Sequence, residues 1–135
     1  MSETAAVLFA NDAFYIAFRG RDLEAMDDLW AREAPVACIH PGWHALSGRE
    51  DVMDSWQGIL TNPNSPEINC HKARAYLAGD SGFVICYETM GDTVLVATNI
   101  FVREAGTWKL AHHQAGPCDL QPAALEDDSE PAALQ

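Results

Sequence analysis

One stretch limits the folds open to this chain more than any other: residues 93–115, TVLVATNIFVREAGTWKLAHHQA. It is dense in β-branched residues, and Gly106 falls where a short hairpin needs positive φ. Two long antiparallel strands joined at Ala105-Gly106 are therefore expected. Val94, Val96, Thr98, Ile100 and Val102 alternate with Leu95, Ala97, Asn99 and Phe101, so the first strand is largely apolar on both sides. Such a strand is covered on both faces. A two-residue loop pairs Glu104 with Thr107, Phe101 with Leu110 and Asn99 with His112. Gly91-Asp92 suits a second two-residue turn back to residues 83–90, which sets Val84 opposite Asn99, Cys86 opposite Ala97 and Glu88 opposite Leu95. In that register Glu88, Asn99, Phe101, Trp108, His112 and Gln114 share one face. Ile85, Tyr87, Val94, Val96, Ile100, Val102 and His113 share the other. A one-residue bulge would exchange the faces beyond it.

The rest of the chain reads as material that closes over this sheet. Val7, Ala10, Phe14, Ala17 and Phe18 fall on one face of a helix spanning about residues 5–19, which Tyr15 and Ile16 broaden. Gly20 ends it, and Asp22 is placed to cap a second helix that buries Leu23, Met26, Leu29 and Trp30. Asp27 and Asp28 are either solvated or at a pocket mouth. Pro35 breaks the second helix, residues 36–40 follow as a short strand, and Pro41-Gly42 turns into a brief return at 43–46. Ser47-Gly-Arg-Glu50 has the form of a capping box for a third helix carrying Val52, Met53, Trp56, Ile59 and Leu60. A Pro-containing loop at 61–66 stops it, and a strand follows at 68–77. The class is α+β: three helices from the N-terminal half against one face of a curved, mostly antiparallel sheet. Residues 1–117 form a single pocket domain, and 118–135, acidic and without Lys or Arg, a mobile tail.

A chain of 135 residues suits one core. The net charge of -12 argues against nucleic acid or an anionic membrane as partner. No apolar run approaches the roughly 20 residues of a membrane helix, and Met-Ser-Glu-Thr does not begin a signal peptide, so a cytoplasmic protein is expected. Cys38, Cys70, Cys86 and Cys118 match no disulfide or zinc pattern and are expected as small buried hydrophobes.

Residues 38–49 (CIHPGWHALSGR), Ser55-Trp56, Thr98-Asn-Ile-Phe101 and the GTWKLAHH run at 106–113 together resemble the nuclear transport factor 2-like superfamily. The likeness covers about residues 5–116 and is strongest to SnoaL-like members and to the association domain of calcium/calmodulin-dependent kinase. It implies a cone-shaped, cystatin-like fold with a pocket between sheet and helices, usually in a homodimer. It specifies a fold better than an activity, since relatives include ketosteroid isomerase, scytalone dehydratase, polyketide cyclases and non-catalytic domains. Against the kinase domain, Phe101 stands for a tryptophan, Asn99 for a pocket arginine and His112 for the first histidine of a His-x-His end. Gln114 replaces the second. The catalytic Asp and Tyr of ketosteroid isomerase find no match here.

Polar residues set into apolar strands mark the candidate site. His112 is the expected acid or base, with Asn99 fixing its tautomer and Glu88, or Asp28, as a titratable partner. Tyr15, His40, Trp43, Trp56, Phe101 and Gln114 are the expected ligand contacts. For each the plainer alternative is a core residue or a turn. A metal site using His40, His44 and His112 is not expected, because adjacent His112 and His113 point to opposite faces, and no cofactor is implied. Two functions fit: a small-molecule pocket protein doing cofactor-free proton transfer (isomerase, dehydratase or cyclase), and a non-catalytic dimerisation or ligand-sensing module. In both, the apolar outer face (Ile85, Val94, Val96, Ile100, Val102) suits a homodimer.

Overall fold

Ser2 opens the first helix, its hydroxyl accepting the Ala5 amide at 3.0 Å. The computed structural model describes residues 1–126, beginning with α1 (Glu3–Arg19) and α2 (Leu23–Leu29). Gly20 ends α1 and Asp22 caps α2 by accepting the Ala25 amide at 3.0 Å, as the sequence leads one to expect. Two short strands, β1 (Ala37–Ile39) and β2 (Leu46–Ser47), precede α3 (Arg49–Thr61). Four long strands follow: β3 (Asn69–Ala78), β4 (Ser81–Met90), β5 (Thr93–Glu104) and β6 (Thr107–Pro117). The chain then enters a single-turn helix at Pro122–Glu126.

The strands form one open, mixed sheet in the order β2-β1-β6-β5-β4-β3, antiparallel except where β1 runs parallel to β6. α1 packs across β3, β4 and β6, and α3 rests against α2, β1 and β2. The reason is visible in the strand burial: Val84, Cys86 and Glu88 of β4 and Leu95, Ala97, Asn99 and Phe101 of β5 are buried on the helix side. Val96, Ile100, Val102, Ile85 and Tyr87 are half-buried on the other side. Both tight turns form as expected, with Glu104 paired to Thr107 and Met90 to Thr93.

The expected register fails at one place. Phe101 pairs with Leu110, but Ile100 pairs with His112 and Asn99 with His113, so Ala111 is an extra residue in β6. This β-bulge shifts the side-chain alternation by one for everything beyond it. His113 therefore points into the core, while His112 and Gln114 lie on the outer face, Gln114 exposed. The expected faces of His112, His113 and Gln114 are thereby reversed.

The expected capping box is also absent. Gly48 is the N-cap of α3, at φ 93, and no side chain caps the helix. Ser47 is instead a strand residue paired with Ala37, and the Gly48 amide donates to Val36 O at 2.9 Å. Only glycine takes that φ cheaply. All four cysteines are free thiols, Cys38 and Cys86 buried and the other two half-buried. Of the tail expected from residue 118, Cys118 hydrogen-bonds Val94 through its amide and Leu125 is buried. Residues 127–135 lie outside the described residues. No described helix is long and apolar enough to cross a membrane.

Candidate functional site

Between the helices and the sheet lies a cavity of ≈ 200 Å³, walled by apolar groups such as Phe18, Ile68, Met90 and Leu95, into which Glu88, His40 and His113 project. Trp43 and Pro41 stand at its mouth, with Trp43 46% exposed and its ring 4.8 Å from the His40 ring. Strand alternation aims the polar residues: Glu88 of β4 and Asn99 of β5 face the helices, and the bulge turns His113 of β6 to meet them.

The hydrogen bonds fix the direction of nearly every proton. Asn99 Nδ2 donates to Asn11 Oδ1 at 2.8 Å and to the Tyr15 hydroxyl at 3.2 Å. Its Oδ1 must then accept from His113 Nδ1, 2.6 Å away, which places the ring proton on Nδ1 and leaves the lone pair on Nε2. Tyr15, receiving from Asn99, donates to Glu88 Oε2 at 2.5 Å. The chain from Asn99 through Tyr15 ends on the carboxyl that stands 3.9 Å from His113 Nε2. A parallel argument orients His40. Ser55 Oγ donates to Val52 O at 2.7 Å, so it accepts from His40 Nε2 at 2.9 Å, and His40 Nδ1 carries the lone pair.

Burial sets the charges. Glu88 is 2% exposed, and burial pushes its carboxyl up to about 7, the Tyr15 hydrogen bond working against the rise. Burial holds His113 near 3, with His40 and His112 lowering it further, and holds His40 near 4. Tyr15 is raised well above the usual phenol range by burial and by Glu88, so it stays a donor. The 3.9 Å contact joins two groups that are both neutral in weak acid rather than an ion pair. Near neutrality it is Glu88 that titrates, beside a His113 that stays neutral with its Nε2 lone pair open to a proton. Such a pair can take a proton from carbon at one atom and return one at another.

Of the residues expected at the site, Glu88, Asn99, Tyr15, His40 and Trp43 come together. Trp56 and Phe101 are fully buried one layer behind, the Trp56 ring 4.8 Å from His40. His112 and Gln114 are excluded by the bulge. Asp28 is exposed at 81% of its side chain, and Asp27 is held by Arg32 and Arg49. Among the described residues no three His, Cys, Asp or Glu side chains are placed to hold a metal ion, and His44 is exposed. Three contributors are not expected from the sequence. The expected register sets His113 on the outer face, where the bulge turns it inward. Asn11 is a polar residue on the buried stripe of α1, a signal that was available. Ser55 matters only because its hydroxyl meets His40.

The SnoaL-like domain matches residues 7–118, which is most of the chain. This protein belongs to the SnoaL-like family. A Streptomyces avermitilis member of the nuclear transport factor 2-like family, bearing a provisional dehydratase name, is 32% identical, covers 87% of this chain and 97% of its own, and superposes with a TM-score of 0.78. A Thiobacillus denitrificans structure named for the calcium/calmodulin-dependent kinase type II association domain is 33% identical over 82% of this chain and 93% of its own, TM-score 0.71. A cystatin-like protein from Caulobacter vibrioides shares the fold at 14% identity, with 93% and 94% coverage and a TM-score of 0.77. The Arabidopsis thaliana F-box protein SKIP8 is 29% identical over 114 residues, 83% of this SnoaL-like chain. The chain spans about half the length of that relative, 49%.

Proposed function

We propose that this protein binds a small, largely apolar molecule in the Glu88–His113 cavity and moves a proton on it without a cofactor, as an isomerase or dehydratase must. One observation carries the proposal: two buried titratable groups lie 3.9 Å apart on one apolar cavity, each locked by its own hydrogen bond. A carboxyl that titrates near 7 suits acid and base work at physiological pH. The cavity, at ≈ 200 Å³, is smaller than the ~300–1,000 Å³ of drug-sized ligand sites. The ligand is correspondingly small. The provisional dehydratase name of the Streptomyces relative agrees with this chemistry.

A non-catalytic assembly role draws support from the outer sheet face, where Ile85, Val96, Ile100 and Val102 form an apolar row. Two copies pairing there would cover it, and such pairing is compatible with catalysis.

The test is solvent deuterium exchange into small cyclic ketones and β-hydroxy ketones, followed by NMR with the histidine ring signals read in the same samples. Exchange that depends on Glu88 and His113 supports the proposal. Ring signals of His40 and His113 that ignore every compound, with no exchange, would leave assembly as the function.

A further inference from the structure

A second cavity, of ≈ 270 Å³, lies beside the first and shares Phe18, Ile59, Ser65 and Pro66 with it. Its other lining is unusual for this chain. Arg19 and Arg21 both reach it, and Glu67 is the single carboxylate there. In a molecule of net charge -12 several cations are spent on acids: Arg32 and Arg49 meet Asp27, and Arg103 meets Glu3. Arg21 is different. It donates to Asn62 O and Ser65 O at 2.7 Å each and to Leu60 O at 3.4 Å, contacts that orient the guanidinium and leave its charge uncompensated. Arg19, in the last turn of α1, has no ion pair or side-chain hydrogen bond among the described residues.

A carboxylate or phosphate oxygen entering this cavity meets the Arg19 guanidinium and those Arg21 donors not already given to Leu60, Asn62 and Ser65. We infer that this cavity is an anion subsite, and that the ligand of the neighbouring cavity is a short apolar chain ending in an anionic group. The reacting part sits by Glu88 and His113, and the charged end sits on Arg19 and Arg21. Ser65 and Pro66, on the loop clasped by Arg21, line both cavities. This inference rests on the proposed function for its reacting end, while the anion subsite stands on the arginines alone.

The experiment uses the whole chain with hexanoate, methyl hexanoate and inorganic phosphate, read by heteronuclear NMR of the arginine Nε–H and histidine ring signals. Hexanoate is expected to move Arg19, His40 and His113 together. Arg19→Ala should weaken it by about tenfold, as loss of one charge-assisted contact does, and Glu67→Gln should tighten it. Methyl hexanoate should move the rings alone. Phosphate, but not hexanoate, acting through Arg19 would keep the subsite and assign a phosphate ester as ligand. If wild type and Arg19→Ala bind both anions equally, or neither anion touches Arg19, the subsite is overturned, and ring shifts with methyl hexanoate would show the catalytic cavity surviving it. Arg19 responding while the rings stay silent to every compound would overturn the spanning ligand and the cavity function together.

Discussion

Asn99 Oδ1 lies 2.6 Å from His113 Nδ1, and the nitrogen of the same amide is already committed to Asn11 and Tyr15. One side chain thus sets the tautomer of the histidine and the proton direction of the tyrosine that serves Glu88. Removing it strands several buried groups at once. Asn99→Ala is expected to cost roughly 2–4 kcal/mol in urea unfolding, since each buried unpaired group costs about 1–3 kcal/mol. The ring nitrogens of His113 should then report a mixture of tautomers. A single unchanged Nδ1–H tautomer in the variant would show that Asn99 does not set it.

Stability should depend on pH through Glu88 with a definite sign. Its folded pKa, about 7, lies above its ordinary value of 4.5, so its contribution is full below about 4.5 and is lost as pH rises through 7. A shift of that size corresponds to about 3 kcal/mol. His40 and His113 work in the opposite sense. Their depressed values give stability that is present above 6.5 and lost as pH falls toward 4 and 3. Glu88→Gln should therefore gain about 3 kcal/mol on wild type between pH 4.5 and 8, in denaturant melts at a series of pH values. Parallel curves for the two proteins would sink the buried-carboxyl assignment.

The sheet was legible because hairpin turns announce themselves: Ala105-Gly106 and Gly91-Asp92 placed Val84, Cys86 and Glu88 opposite Asn99, Ala97 and Leu95 as observed. The bulge at Ala111 was not legible. Ala-His-His carries no glycine or apolar alternation to mark which residue goes unpaired, and the choice depends on what the helices bury. His113 wins the inner position because Asn99 offers it a hydrogen bond there and Phe14 a ring contact at 5.0 Å. The failure at Ser47 has the same origin. A local motif pointed to a cap, while pairing with β1, a contact distant in the chain, took the residue for a strand.

That competition makes a stability prediction. If Ser47 capped α3, its loss would cost about 1 kcal/mol. The exposed strand position leads us to expect Ser47→Ala within about 0.5 kcal/mol of wild type. Gly48→Ala meets no atom within 4 Å but forces φ 93 on a residue with a Cβ, at a cost of roughly 1–2 kcal/mol. Thermal melts of the two variants decide it, and a reversed order would restore the cap.

The two adjacent histidines give the sharpest test of the site. His112 and His113 are chemically identical and neighbours in sequence, yet the bulge sends one outward and the other to the cavity. His113→Gln should lower the rate of deuterium exchange into bound ketone by about 10²–10⁴, the usual worth of a positioned acid or base. His112→Gln should leave it unchanged, because its side chain has no path through the sheet to the ligand. Glutamine at 113 still offers a donor to Asn99, and circular dichroism confirms whether the fold persists. Should His113→Gln fail to fold, Glu88→Gln carries the same expectation from the other partner of the pair. Equal losses at 112 and 113 would mean that both rings matter through packing, and the proton-transfer site would have to be sought elsewhere.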